Sequence, residues 1–183
     1  MRGKFRSMIN DIIRKSIEVK ENILLDKSLH QVIYNSIDVI VNAFQSGKKV
    51  MFCGNGGSAA DAQHLAAELS GRFYKDRKAL PSDALHCNTS YLTAVANDYS
   101  YDVIYSRLIE GLAKPGDVLV GLSTSGNSEK IVKAGLIPDS QRYFDYHHAA
   151  NDKFDAVDKR ELELGAATMA SLIYLIDQKG IIE

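Results

Sequence analysis

Residues 49–61 constrain the fold more than any other stretch, because they join an apolar run, a glycine-rich turn and the start of a helix. Residues 50–53 are apolar and predict a buried strand, and three glycines among the next four residues end it. Ser58 follows where a helix needs an N-cap, so we predict that it caps the helix. Free backbone N–H groups and the helix dipole at such a junction favour a bound phosphate.

This turn is not a known nucleotide-binding motif. It lacks the third glycine of the dinucleotide-binding pattern, and no Gly-Lys-Ser or Gly-Lys-Thr follows as in a P-loop. A tight strand-to-helix turn without a ligand is therefore an alternative explanation of the same residues.

A second stretch repeats the arrangement of strand, polar turn and helix. Residues 117–122 predict another buried strand, and a helix begins at Glu129. The turn between them carries four hydroxyl side chains, those of Ser123, Thr124, Ser125 and Ser128. Capping the helix needs only one hydroxyl, so the other three favour hydrogen bonding to phosphate oxygens over a simple cap.

Composition excludes several classes of protein. The 183 residues suffice for one domain with a core, and a net charge of −1 gives no basic field to attract nucleic acid or an anionic membrane. No apolar run approaches membrane-spanning length and no signal-peptide core is recognisable. Cys53 and Cys87 lie in apolar surroundings, so we interpret them as buried free thiols of a cytoplasmic protein.

The order of predicted elements indicates an α/β protein. Two amphipathic helices, 1–24 and 28–46, precede the first strand, and their broad apolar faces suit packing on the sheet and on another subunit. Strands and helices then alternate, which predicts a three-layer arrangement, a parallel sheet flanked by helices on both faces. The further elements are a strand at 84–87, a helix that starts at 88–90 and includes 91–96, a helix at 101–113 and the strand at 117–122.

Both polar turns follow the carboxyl ends of predicted strands, which is where such sheets bind ligands. We expect a single domain over residues 1–183, divided into the helical pair 1–46, a core at 49–134 and a C-terminal segment at 135–183.

His64 and Glu68 lie four residues apart, so they share a face of the helix that begins at the first turn. A carboxylate one or two helical turns from a phosphorylated substrate is placed to take a proton. The alternative is an exposed pair without a role.

The two turns and the residues around them resemble the phosphoheptose (sedoheptulose 7-phosphate) isomerases of the sugar isomerase (SIS) domain superfamily. The resemblance covers most of residues 1–134. Its motifs are Gly54-Asn55-Gly56-Gly57-Ser58, Asp61-Ala62, His64, Ala66, Glu68-Leu69, Gly71-Arg72, Asn97-Asp98-Tyr99 and Ser123-Thr124-Ser125-Gly126-Asn127-Ser128.

The resemblance implies an SIS-type, flavodoxin-like fold, a homotetramer and an aldose–ketose isomerase of heptose synthesis for bacterial surface polysaccharide. It implies that Glu68 is a catalytic acid–base and that His64 and Glu68 bind zinc. It also implies that substrate and phosphate are bound by residues of the two turns and by one further pair, namely Asn55, Gly56, Gly57, Ser58, Asn97, Asp98, Ser123, Thr124, Ser125 and Ser128.

The resemblance weakens after Ala134. The final helix survives as a pattern at about 161–178, but Leu162 and Ala170 stand where the family has a zinc-binding glutamine and a catalytic histidine, and Glu163 matches a glutamate. This leaves open a reduced C-terminal part of the sheet, with His147 or His148 as a substitute acid–base.

The alternative to an isomerase is a weak or inactive sugar-phosphate-binding scaffold of the same superfamily, as in the DnaA-binding initiator-associating protein. A third alternative is that the C-terminal segment is an altered or truncated version of a normal enzyme.

Overall fold

The computed structural model describes residues 2–124 and 128–135. Six helices, one short 3-10 helix and three strands follow one another in this part of the chain. In order they are α1 Arg2–Leu25, α2 Lys27–Gln45, β1 Val50–Gly54, α3 Gly57–Ser70, β2 Ser82–Ala84, α4 Thr89–Asp98, the 3-10 helix Tyr101–Val103, α5 Ile104–Leu112, β3 Val118–Leu122 and α6 Glu129–Gly135.

The three strands form one parallel sheet in the order β2-β1-β3. Strand β1 is central and buried over its whole length, because alternate side chains enter two separate cores. Val50 and Phe52 pack with α2 and α3 on one face of the sheet, while Met51 and Cys53 pack with α4, α5 and α6 on the other. The predicted three-layer α/β fold with two N-terminal helices is therefore confirmed.

Helix α2 begins and ends at clear local signals. The Asp26 carboxylate accepts hydrogen bonds from the backbone N–H groups of Ser28 and Leu29, at 2.9 and 3.0 Å. The helix ends just before Gly47, which has a φ of +68° that other residues rarely adopt.

Helix α1 packs against α2, and most of its apolar side chains remain exposed. Among its side chains from Ser7 onward, only that of Val19 is buried. The exposed ones are Met8, Ile9, Ile12, Ile13, Ile17, Leu24 and Leu25. The expectation that this helix packs broadly on its own sheet is therefore wrong for the described chain.

Asp117 ties the beginning of β3 to the beginning of β1. Its carboxylate accepts hydrogen bonds from the backbone N–H of Lys49 at 3.0 Å and of Lys114 at 2.8 Å, and it pairs with the Lys49 ammonium. Burial raises the pKa of this carboxyl, but the bonds from Lys49 and Lys114 outweigh burial and hold the pKa below its usual range.

Strand β2 lies earlier than predicted, at Ser82–Ala84 instead of 84–87. Its ladder begins where the Pro81 carbonyl accepts from the Val50 N–H, and it ends in a turn closed by the Cys87 N–H and the Ala84 carbonyl. That turn carries Cys87 to the surface, so the prediction that both thiols are buried holds for Cys53 alone.

Two other predicted elements change their bounds. Helix α4 starts as predicted, with Asn88 as its N-cap, but it continues through Asp98 instead of ending at Ala96. The helix predicted at 101–113 is a 3-10 turn followed by α5. The predictions for the segment after Gly135, including the final helix, lie outside the described residues. No helix in the described ranges is long and apolar enough to cross a membrane.

Candidate active site

The parallel register of β1 and β3 brings the two polar turns together. Gly54 at the end of β1 is paired with Leu122 at the end of β3, so both turns leave the same edge of the sheet. The Asn55 side-chain amide of the first turn donates from Nδ2 to Ser128 Oγ of the second, at 3.2 Å. The two stretches singled out in the sequence thus form one site.

The second turn is only partly described. Ser123 is half-buried and Thr124 is exposed, directly after β3, and Ser128 is half-buried before α6. Ser125 lies outside the described residues.

The first turn leaves open space in front of α3. Gly56 is the N-cap residue, with a φ of +59° and no side-chain cap, and α3 begins at Gly57. A Cβ atom at Gly56 or Gly57 would meet no described atom within 4 Å. The backbone at this helix start is therefore accessible to a ligand, and a helix N-terminus favours an anion.

The prediction that Ser58 caps α3 is wrong. Ser58 is the second residue of the helix and is buried, and its backbone N–H donates to the Asn55 carbonyl at 3.1 Å. The positive φ of Gly56 lets the chain turn into the helix two residues earlier than the capping pattern suggests.

Buried groups hold the end of β1 in place beneath the turn. The hydroxyl of Tyr105, a residue only 1% exposed, donates to the Gly54 carbonyl. Burial raises the pKa of Tyr105 above its usual range and raises that of the Cys53 thiol to about 12, so both groups stay protonated and neutral at pH 7.

His64 and Glu68 share a face of α3 as predicted, with His64 Nε2 3.4 Å from Glu68 Oε1. The histidine side chain is 74% exposed and the carboxylate 22%. Glu68 lies eleven residues after Gly57, at the far end of the helix, which corresponds to roughly three turns or about 16 Å. The expected separation of one or two turns between the carboxylate and a phosphorylated substrate stays a prediction.

Asn97 and Asp98 form the last turn of α4 instead of following the helix, and both are exposed. The Asn97 amide donates to the Asp98 carboxylate at 2.9 Å. Asn88, where the resembled family usually has aspartate, accepts the Tyr91 N–H at 3.0 Å and so serves as the cap of this helix.

A family model described as the SIS domain matches residues 14–136, which is most of the described chain. The chain belongs to the SIS domain family.

Several sequence relatives of this SIS domain are named phosphoheptose isomerases. That of Clostridium acetobutylicum is 52% identical over 129 residues, which cover 70% of this chain and 66% of the relative. A probable phosphoheptose isomerase of Thermoplasma volcanium is 66% identical over 94 residues, covering 51% of this chain and 48% of the relative. The matched part of the chain therefore spans about half to two thirds of these relatives.

Solved structures extend the likeness in fold. A phosphoheptose isomerase from Neisseria gonorrhoeae superposes with a TM-score of 0.72 at 28% identity, covering 97% of this chain and 98% of that one. One from Francisella tularensis gives a TM-score of 0.71 at 24% identity, covering 96% and 97%, which supports the fold alone.

The described part of this SIS domain supplies two donors for a metal, the imidazole of His64 and the carboxylate of Glu68. No group of three or more histidine, cysteine, aspartate or glutamate side chains in residues 2–124 and 128–135 is arranged to hold a metal ion. Imidazole and carboxylate are donors that zinc accepts, but a catalytic zinc site takes three protein ligands. The described residues thus fit part of such a site.

Sequence reasoning missed two residues of this site. Arg77 donates from its guanidinium to the carbonyls of Glu68 and Leu69, at 3.0 and 2.9 Å, and so caps the end of α3 that carries Glu68. Tyr101 donates to Asn55 Oδ1 at 3.3 Å. Neither contact has a local signal, because each depends on how distant segments fold together.

Proposed function

We propose that this chain isomerises sedoheptulose 7-phosphate to D-glycero-D-manno-heptose 7-phosphate. The carrying observation is the contact between Asn55 and Ser128, which joins a glycine turn and a hydroxyl turn at one edge of the sheet. Helix α3 leaves that edge and carries Glu68, with an acid–base carboxylate, at its other end. The names of the sequence relatives support the same reaction.

The phosphate clamp in this proposal is made by the two turns. Ser123, Thr124, Ser125 and Ser128 provide hydroxyl donors, and Gly56, Gly57 and Ser58 provide the open start of α3. Asn55 contacts the sugar chain, and Asn97 and Asp98 are further sugar contacts. Binding the unreactive phosphate supplies energy for positioning the reacting end of the substrate.

The chemistry takes place at carbons 1 and 2, at the other end of the sugar from the phosphate on carbon 7. The long separation between the turns and Glu68 suits this arrangement. The Glu68 carboxylate takes a proton from carbon 1 of the ketose, which gives an enediolate, and the same proton or another is delivered to carbon 2. Between these two steps the proton of the hydroxyl on carbon 1 moves to the oxygen on carbon 2. Carbon 1 thereby becomes the aldehyde, and the former carbonyl of carbon 2 becomes a hydroxyl.

Glu68 needs a fixed position to transfer protons between carbons 1 and 2. Arg77 holds the carbonyls at the end of α3, and the His64 imidazole lies beside the carboxylate. His64 and Glu68 would also hold zinc, which when bound polarises the substrate oxygens. The described ranges contain no residues that would complete the zinc site, and no second acid–base group. The candidates His147, His148 and Glu163 lie outside these ranges. So do Leu162 and Ala170, which stand where the resembled family has a glutamine and a histidine.

The proposal also covers the oligomeric state of the protein, its location in the cell and the use of its product. The exposed apolar side chains of α1 support association of several copies, and we propose a homotetramer in the cytoplasm, each chain forming one domain over residues 1–183. The product would be a heptose for surface polysaccharide.

Glu68→Gln tests the reaction. The variant keeps the size and polarity of the side chain but cannot take a proton, so we expect kcat to fall by at least about 100-fold while binding of sedoheptulose 7-phosphate persists. The assay would follow aldose formation with and without added zinc. Glu110→Gln, which changes an exposed glutamate of α5, is the control and should keep full activity.

Full activity in Glu68→Gln would contradict the proposed acid–base role. A wild-type protein that binds sedoheptulose 7-phosphate without turning it over would instead favour the scaffold alternative.

A further inference from the structure

Tyr101 connects a third segment of the chain to the two turns of the site. It begins the 3-10 helix between α4 and α5, and its hydroxyl lies 3.3 Å from Asn55 Oδ1. The Nδ2 atom of the same Asn55 amide lies 3.2 Å from Ser128 Oγ. Both ends of the Asn55 amide are therefore engaged, by side chains 46 and 73 residues away.

These two contacts determine what Asn55 offers to a ligand. A side-chain amide has one acceptor oxygen and two N–H donors. The Tyr101 hydroxyl donates to the oxygen, and one N–H donates to Ser128, so the second N–H has no partner among the residues that the structure describes. Asn55 in this orientation is a hydrogen-bond donor, which matches the phosphate and hydroxyl oxygens of a sugar phosphate.

Without the tyrosine hydroxyl this orientation loses its main determinant. The terminal torsion of an asparagine side chain is broad and roughly two-fold, so the amide readily turns over. Ser128 does not prevent this, because its hydroxyl both donates and accepts and would bond either end of the amide. The tyrosine hydroxyl does discriminate, because a phenol is a stronger donor and a weaker acceptor than an aliphatic hydroxyl, one oxygen lone pair being delocalised into the ring. It therefore favours the orientation in which the amide oxygen faces it.

A residue just after the second turn, Lys130, also contacts the ring of Tyr101. The Lys130 ammonium, in the first turn of α6, lies 5.2 Å from the centre of the ring and 3.4 Å from the Asp102 carboxylate. The Asp102 backbone N–H donates to Ser100 Oγ at 3.0 Å, which fixes the start of the 3-10 helix. Contacts with the cation position the ring and leave the hydroxyl directed at Asn55.

We propose that Tyr101 is a positioning residue whose hydroxyl orients the Asn55 amide as a donor toward an oxygen of the bound sugar phosphate. The inference rests on the proposed function for the identity of the ligand. It adds a residue outside both turns to the determinants of substrate affinity.

Tyr101→Phe tests the proposal, because it removes only the hydroxyl and keeps the ring beside Lys130. We expect affinity for sedoheptulose 7-phosphate to fall by about three- to tenfold, the range for one neutral hydrogen bond. In the isomerase assay KM should rise by the same factor with kcat little changed. Tyr99→Phe is the matched control, since its exposed ring is also stacked by a cation, Arg107, at 4.0 Å.

A double-mutant cycle separates orientation of Asn55 from a merely structural effect. Titration calorimetry with sedoheptulose 7-phosphate would compare Tyr101→Phe with wild type, and the same change within Asn55→Ala. We expect the loss of affinity only where Asn55 is present. An equal loss in both backgrounds, or no loss in either, overturns the proposal.

The two proposals fail differently. If wild type binds sedoheptulose 7-phosphate but does not turn it over, the isomerase proposal falls and the cycle still decides the role of Tyr101. If wild type turns the substrate over and the cycle shows no coupling, the Tyr101 proposal falls alone. Absence of any binding by wild type overturns the role of Tyr101 as well.

Discussion

Gly54, where β1 meets the first turn, is a residue at which the fold leaves no room for a side chain. A Cβ atom there would lie 2.4 Å from the carbonyl oxygen of Ser58 and 2.6 Å from its carbonyl carbon. These are backbone atoms of the first turn of α3, so relief would require moving the helix away from the strand. The glycine therefore sets how closely α3 approaches the end of β1.

Gly54→Ala should destabilise the protein by about 1–3 kcal/mol, the usual cost of overpacking a well-packed site. The free energy of unfolding measured in urea would give the value. Gly57→Ala is the matched control, because its added methyl meets no described atom within 4 Å. We expect it to leave stability unchanged and to weaken binding of sedoheptulose 7-phosphate, since the methyl occupies space left for the ligand. Equal destabilisation by both variants would contradict this account.

At the scale of elements, the junction of β1 and β3 depends on one carboxylate. Asp117 accepts two backbone N–H groups and pairs with Lys49, so its negative charge is bound more tightly in the folded chain than in the unfolded one. The folded-state pKa is lowered, so the stabilisation is complete above the unfolded-state pKa of about 3.9 and is lost as pH falls through the folded value.

Asp117→Asn should therefore lower the free energy of unfolding by about 2 kcal/mol at pH 7, the range for hydrogen bonds to a charged group. The difference from wild type should shrink as the pH is lowered below about 4, where the carboxylate becomes protonated first in the unfolded chain and, at lower pH, in the folded one. Urea unfolding from pH 3 to pH 7 would measure it. Asp76→Asn, at an exposed position, should follow wild type throughout. A difference independent of pH would show that charge is not the cause.

The elements were largely predictable from the sequence, because their signals are local. The apolar runs of β1 and β3 and the periodicity of α2 mark the cores on the two faces of the sheet. Strand β2 was misplaced because three residues beside a proline carry little pattern, and its position depends on pairing with Val50 and Phe52. Local sequence does not contain that pairing.

The residues of the candidate site were likewise predictable where their signals are local and not where they depend on long-range contacts. Its turns were recognisable because glycines and hydroxyls lie consecutively in the sequence, and His64 and Glu68 because helical spacing is regular. The contacts of Arg77 and Tyr101 were missed because they join segments that only the folded chain brings together. The start of α3 was misjudged at Ser58, since an asparagine–glycine–glycine turn permits the helix to begin on a glycine.

At the scale of the whole molecule, α1 is the element that the described residues leave largely uncovered. Seven large apolar side chains of α1 are between 43% and 79% exposed. Exposed apolar surface of this extent on a single helix indicates contact with another protein surface. The proposed self-association uses this surface.

Ile13→Asp should weaken the assembly, because it places a charge among the isoleucines of that surface. We expect the variant to sediment as a smaller species than wild type at the same micromolar concentration. Asn22→Asp adds a similar charge at an exposed position on the opposite side of the same helix and is the control. Sedimentation velocity would distinguish the two. If Ile13→Asp retained the mass of wild type, α1 would not be the assembly surface.

The central position of β1 has a consequence during synthesis on the ribosome. Strand β2 emerges soon after β1 and covers one of its edges, but the other edge waits for β3, which begins 68 residues after the start of β1. At roughly 5–20 residues per second the delay is about 3–14 seconds. During that time an apolar strand has an unpaired edge, which is open to pairing with other nascent chains. Chaperone access in this interval would then affect how much protein reaches the native state.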